Sequence, residues 1–265
     1  MGETTFSVLN HTYETGSILI KHESIKSGLL MRSKTDDKSL KVLTDNFTGT
    51  FIDYTGEHGA EYFYYVKDEK DLLCKSEEPI TCNFDSCFLF DGERQLNLKF
   101  NTKISSFKNT IQEQKIETLG SKYPFVFRNG TIMYKEFSIS SLISYWADKE
   151  GDFSKNNEDL FSDVDPSRVS ADADAALNNI EPSLNLTDKN FHLEREFKTE
   201  VLEWLNNGKP KLFRSPAEGN FLVRLVNVSL TPNDTLGRML HTFNATAYEI
   251  GECSTENLKK YGILK

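Results

Sequence analysis

Apolar residues recur at two different periods along this chain, and the change of period divides it. Through the first half they sit at every second position in short runs broken by glycine and polar clusters, which is the signature of strands. Ile18 and Ile20, the Leu29-Leu30-Met31 group, Lys41-Val42-Leu43 and Thr50–Tyr54 read this way, punctuated by Gly49, Gly56 and Gly59. Glu61–Val66 is aromatic and β-branched enough to be a strand buried on both faces. Leu96–Asn101 alternates, which places Leu96, Leu98 and Phe100 inward and Asn97, Lys99 and Asn101 outward. Segments 109–119, 123–128 and 131–139 continue the pattern, with Arg128-Asn129-Gly130 as the expected hairpin turn.

The longest two-residue pattern comes late, from Lys211 to Ile250. Phe221, Val223, Leu225 and Val228 carry one arm; Leu240, Phe243, Ala245, Ala247 and Tyr248 carry the other. Thr231–Gly237 lies between them with the Pro, Asn, Asp and Gly of a compact turn. Ser215–Asn220 is read as a tight connection into the first arm.

Just before this block the period becomes helical. Leu193, Phe197, Val201 and Leu205 recur at four-residue steps, broadened by Leu202 and Trp204, with Glu and Lys opposite. Thr187 or Asp188 can cap the start, Asn207-Gly208 ends the helix, and Pro210 prevents its resumption. Residues 148–188 have neither period. They are crowded with Asp and Glu, interrupted by Pro166 and Pro182, and predict an acidic flexible insertion or arm with one short helix near Ser170–Asn178. An arm that wraps a neighbour is the preferred functional version. The tail, Ser254–Lys265, predicts one capped helical turn around Asn257–Tyr261, docked or frayed.

These patterns imply an α+β, mainly β, protein: a β-barrel or sandwich with one flanking amphipathic helix and long hairpins. The organisation is a β-rich region 1–147, the acidic segment 148–188, a helix plus hairpin over 189–250 that completes the barrel, and a tail over 251–265.

Composition narrows the function. Nineteen Phe and ten Tyr supply core area despite a hydrophobic share of 38%. With 31 basic and 40 acidic side chains the net charge is −9, against a general affinity for nucleic-acid phosphates. No apolar run is long enough to span a membrane, and MGETTFSVLNHTYETGS carries no secretory leader. Cys74, Cys82, Cys87 and Cys253 fit neither a zinc pattern nor a disulfide framework, and predict reduced, mostly buried thiols. The five histidines form no metal or catalytic motif, and no P-loop, nucleophile elbow or dinucleotide turn is present. Asp148, Glu150 and Asp152 only faintly resemble a calcium loop. No catalytic residue, cofactor or metal is therefore expected. The aromatic run Tyr62–Tyr65, with Trp146, could stack on carbohydrate, which makes a carbohydrate- or receptor-binding β-sandwich the alternative; a core strand with outward tyrosines is the plainer reading.

Two stretches resemble tail and baseplate proteins of tailed bacteriophages. They are Phe90–Ser144, including DGERQLNLKFNTKISSFKN, and Phe191–Ile250, including EVLEWLNNGKPKLFRSPAEGNFLVRLVNVSL. The likeness covers a little under half the chain and is to the distal-tail or tail-tube adaptor class; the first 90 residues and the acidic segment stand outside it. It implies a tube-like barrel and a hexameric or trimeric ring around a DNA channel, joining the tail tube to distal baseplate components. Partners would be copies of itself, other tail and baseplate proteins, and DNA passing without specific binding, with no membrane contact. The location would be the virion tail, assembled in the host cytoplasm. Arg214, Arg224, Arg238, Trp204 and Tyr248 are the interface candidates, and the negative charge would keep DNA from adhering to the channel wall.

Overall fold

The computed structural model describes residues 8–22, 25, 27–37, 39–68, 73–116, 125–143, 198–233 and 237–264. Short strands fill the amino-terminal part: β1 Val8–Thr12, β2 Ser17–Lys21, β3 Gly28–Lys34, β4 Lys41–Thr44, β5 Thr50–Asp53, β6 Glu61–Asp68, β7 Leu73–Lys75 and β8 Ile80–Thr81. β9 Cys87–Phe90 and β10 Gln95–Leu98 follow, then the long β11 Phe100–Ile116 and β12 Phe125–Ile143. The carboxy-terminal part holds β13 Lys211–Ser215, β14 Gly219–Asn233 and β15 Gly237–Gly251. Two short helices complete the described chain, α1 over 198–205 and α2 over Thr255–Lys260.

All pairings are antiparallel. β1-β2-β5 form a three-stranded sheet, β4-β3-β6-β7 a second with β8 also on β6, and the third has seven strands in the order β10-β9-β13-β14-β15-β12-β11. β10 and β11 lie at opposite ends of that order yet are separated in sequence by Lys99 alone, so the large sheet curls until its two borders meet. Thr102 Oγ1 donates to Leu98 O, and Ser141 Oγ donates to Phe100 O at 3.0 Å, which fastens this corner. The ladder does not close, because among the described residues β10 pairs only with β9 and β11 only with β12. The expected barrel is therefore a curled open sheet in the single chain.

Two cores flank this sheet. One lies on its inner face, where Leu89, Leu96, Phe137, Phe213, Phe221, Val223, Phe243 and Ala247 meet Val201 and Leu205 of α1. The other gathers Ile18, Ile20, Leu30, Leu43, Phe47, Tyr62, Tyr64 and Val66 of the small sheets against Phe88, Phe90, Leu212 and Leu222, which point the opposite way. β9 and β13 are consequently buried on both faces, which explains the unbroken apolar run Cys87–Phe90. The second core also receives the tail: α2 is capped by Ser254 Oγ accepting from Asn257 N–H, and Leu258, Ile263 and Leu264 are buried.

Several sequence expectations are met and others corrected. The 211–250 hairpin forms, and α1 buries Val201 and Leu205 and ends at Gly208 with φ +70°. Glu61–Val66 is a strand of alternating burial, not one covered on both faces throughout. Arg128-Asn129-Gly130 does not turn the chain. It lies within β12, where the register jumps from Ile111 opposite Met133 to Glu113 opposite Arg128, so the additional residues form a bulge in a continuing strand. Leu96 and Leu98 are buried, but the alternation ends at the corner, and Phe100 points outward at 42% exposure. Asn97 is buried because its Nδ2 donates to Glu14 O in the β1–β2 turn packed over it. The short helix expected at Ser170–Asn178, and residues 148–188 as a whole, lie outside the described residues.

Candidate assembly surface

Beyond the contact with the small sheets, the large sheet continues as four long strands, β11-β12-β15-β14. Residues directly opposite one another across strands share a face, so the register assembles the outer surface row by row. Lys108, Glu136, Tyr248 and Arg224 form one row; Ser105, Ser138, Thr246 and Val226 the next. Lys103, Ser140, Asn244 and Ser229 follow, then Phe100, Leu142, Thr242 and Thr231. The intervening residues Phe137, Ile139, Ala245 and Ala247 face the core. Hydroxyls and amides thus make up half of the outer grid, and it carries three cations against one carboxylate. The negative balance of the whole chain is not located here.

Three left-handed residues keep this alternation in phase. Asn101 (φ 50°), Ser106 (φ 57°) and Asn227 (φ 52°) each coincide with a register shift in which one strand has an additional residue. Asn227 explains why the apolar positions of β14 step from Leu225 to Val228 by three: the bulge absorbs the odd residue, and both side chains still pack on the inner core.

Among the described residues both borders of the four-stranded unit are open. β11 has no neighbour beyond β12 among the described residues. β13 pairs with β14 only from Gly219 to Val223, so among the described residues Arg224–Asn233 present a second unpaired edge. Large exposed apolar side chains also concentrate on β11 and β12: Phe100, Phe107, Ile116, Val126 and Met133, the last two above 60% exposed. Phe107 stacks on Phe137 at 5.1 Å between ring centroids, so it extends the core to the open border.

The five interface candidates fall in different places. Arg224 is exposed on the outer grid, and Tyr248 beside it is half-buried with its ring 6.0 Å from that of Tyr134. Arg238 lies on β15, but its side chain is outside what the structure describes. Trp204 is half-buried: its Nε1 donates to Asp91 Oδ2, and Lys211 Nζ lies 4.7 Å from its ring centre, so it docks α1 within the chain. Arg214 is the clear correction. It has no exposed surface. Its Nε and Nη2 donate to Gly56 O at 3.0 and 2.7 Å, Nη2 donates to Gly16 O at 2.6 Å, and the guanidinium lies 4.5 Å from the Phe84 ring centre. It joins the large sheet to the amino-terminal loops and cannot reach another chain.

Further charged groups are buried at the layer junctions. Arg32 pairs with Asp53 at 2.5 Å, and Asp53 also accepts from Thr55 and from Tyr64 Oη. Burial alone would raise the carboxyl pKa, but Arg32 and these hydrogen bonds hold it below the usual value. Lys211 is fully buried, with Nζ donating to Asn207 Oδ1 at 2.8 Å and 3.9 Å from Asp91 Oδ2. Burial lowers its pKa to about 8, with Asp91 opposing the shift. Sequence reasoning missed this group, since a lysine next to a proline in a strand looks solvated.

The aromatic run does not form the platform read from sequence. Tyr62 and Tyr64 turn into the core, their hydroxyls engaged by Glu57 N–H and Asp53, and only Phe63 and Tyr65 face outward, beneath Lys75. Trp146 and the Asp148–Asp152 acids lie outside the described residues. Cys74, Cys82 and Cys87 are buried free thiols, and Cys253 is half-buried. No protein-family model matches this chain, and no curated protein matches its sequence.

Proposed function

We propose that the chain is a structural subunit of a multi-copy ring, with the unpaired edge of β11 in one copy meeting the open half of β14 in the next. One observation carries this reading: a single four-stranded unit has a packed inner face, a polar outer face and two free edges on opposite sides. Such an edge is a row of unmet backbone donors and acceptors, and an isolated soluble chain normally blunts or covers it. Two different edges make a head-to-tail contact, which yields a ring when the rotation closes. The likeness to distal-tail and tube-adaptor proteins supports placing this ring at the tail end or baseplate of a tailed bacteriophage. It would connect the tube to more distal components, with the polar face toward passing DNA.

The test is native mass spectrometry with electron microscopy of the purified chain. Rings of one defined copy number, three or six, are the expected result. Ser105→Lys combined with Ser229→Lys places like charges on the two edge strands at outward positions. That variant should remain folded and lose the ring. A protein that stays monomeric alone and with tail components overturns the reading.

A further inference from the structure

Two imidazoles hold one loop by the same kind of bond. The loop 82–86 joins β8 to β9 and so leads from the small sheets into the large one. His11 Nε2, on β1, accepts from Asn83 N–H at 3.1 Å. His58 Nδ1, in the connection between β5 and β6, accepts from Phe84 N–H, also at 3.1 Å. A ring nitrogen accepts only while it carries no proton, so neither bond survives on an imidazolium. The loop they hold reaches the Arg214 corner. Phe84 has no exposed surface, meets the His58 ring edge-on at 5.1 Å, and lies 4.5 Å from the guanidinium. Cys82 has no exposed surface either, and its Sγ donates to Gly16 O, the carbonyl that also accepts from Arg214 Nη2. Burial, and after it the Arg214 charge, hold the His11 pKa below 6.5, with Glu14 of the β1–β2 turn opposing. The acids flanking His58 and Phe84 in sequence are engaged: Glu57 accepts from Lys34 Nζ, and Asp85 from Ser86 Oγ.

We propose that His11 and His58 form an acid-released latch, which frees the loop 82–86 from the small sheets when both rings take up a proton. At neutral pH both bonds stand. As pH falls below about 6.5, the range of a free imidazole, each protonated ring turns a donor toward another donor. The charge gained by His11 also lies within reach of Arg214, which adds repulsion at the same corner. The bonds that remain, Cys82 N–H to Ala60 O and Gly59 N–H to Cys82 O, do not titrate and keep the loop tethered at Cys82. Phe84 then leaves Arg214, and the Cys82 thiol beneath it is uncovered. The latch does not depend on the ring.

The test is thiol labelling of the full-length chain with dithiodipyridine, a reagent active in mild acid. Rates are normalised to a small free thiol at each pH, and sites are read by peptide mass spectrometry. Cys82 should label roughly tenfold faster at pH 5 than at pH 7.5, because two hydrogen bonds are lost, while buried Cys74 changes little. In His11→Gln combined with His58→Asn, amide oxygens stand where Nε2 and Nδ1 stood and accept without titrating, so the Cys82 rate should stay flat. Deuterium uptake at the imidazole carbons of the wild-type chain needs no variant, and should place the His11 midpoint below 6.5. A Cys82 rate insensitive to pH, equal acceleration at Cys74, acceleration that persists in the double variant, or a His11 midpoint at or above that value overturns the proposal.

Discussion

Arg214 is the residue on which the amino-terminal layers and the large sheet depend together. It is a buried cation held by backbone carbonyls and aromatic faces, without a carboxylate partner among the described residues. Arg214→Met should lower unfolding free energy by about 2–4 kcal/mol, because the Gly16 and Gly56 carbonyls lose their donor in a dry site; urea denaturation measures it. Lys211 behaves differently. Its folded pKa of about 8 lies below the 10.5 of the free side chain, so the unfolded chain binds the additional proton between those values. Its contribution to stability should therefore rise as pH climbs from 8 toward 10.5 and be absent below that window. Comparing wild type with Lys211→Met by urea titration from pH 7 to 9 isolates this slope from the titrating thiols and tyrosines. For Asp53 the shift is downward from 3.8. The stability it supplies is complete above that value and should be lost as pH falls through the lower folded pKa.

At the scale of elements, the bulges decide whether the four long strands keep one face polar. Asn227→Val puts a β-branched residue at φ 52° and should cost about 1–2 kcal/mol, whereas Asn227→Gly should be neutral or mildly stabilising; thermal melts of the two variants give the comparison. This feature was legible in the sequence, since the step from Leu225 to Val228 breaks the two-residue period at one place. The hairpin read at Asn129-Gly130 was not a safe inference, because the same dipeptide serves a bulge equally well when the strand continues on both sides. The docking of the tail was also half visible. Its cap at Ser254 is local, but its seat is not: a Cβ on Gly92 would meet Gly262 O at 2.2 Å, a contact between residues far apart in sequence. Gly92→Ala should loosen the tail, and limited proteolysis should then cleave near Tyr261 and Lys260 several times faster.

For the whole molecule, strand content and the helix α1 against the large sheet followed from periodicity, while the division into two cores did not. Nothing local marks Leu212 and Phe213 as belonging to opposite cores; that emerges only when the small sheets pack against the back of the large one. The buried state of Arg214 was hidden for the same reason, since its partners are carbonyls of Gly16 and Gly56. The open edges were visible only as long strands, and their standing as edges comes from strand order. Assembly through them should be concentration-dependent. Sedimentation across a hundredfold dilution should show the proposed rings dissociating to single copies, and not to partly unfolded chains, because each copy holds both cores within itself.

The position of β13 between those cores has a consequence for how the protein opens. A strand sealed on both sides cannot exchange its amide hydrogens through fraying of either layer alone. The amides of Lys211–Ser215 should be the last to take up deuterium, at the rate of global unfolding, while those along the outer edge of β11 exchange first. In the proposed ring, β11 should slow sharply and β13 should hardly change.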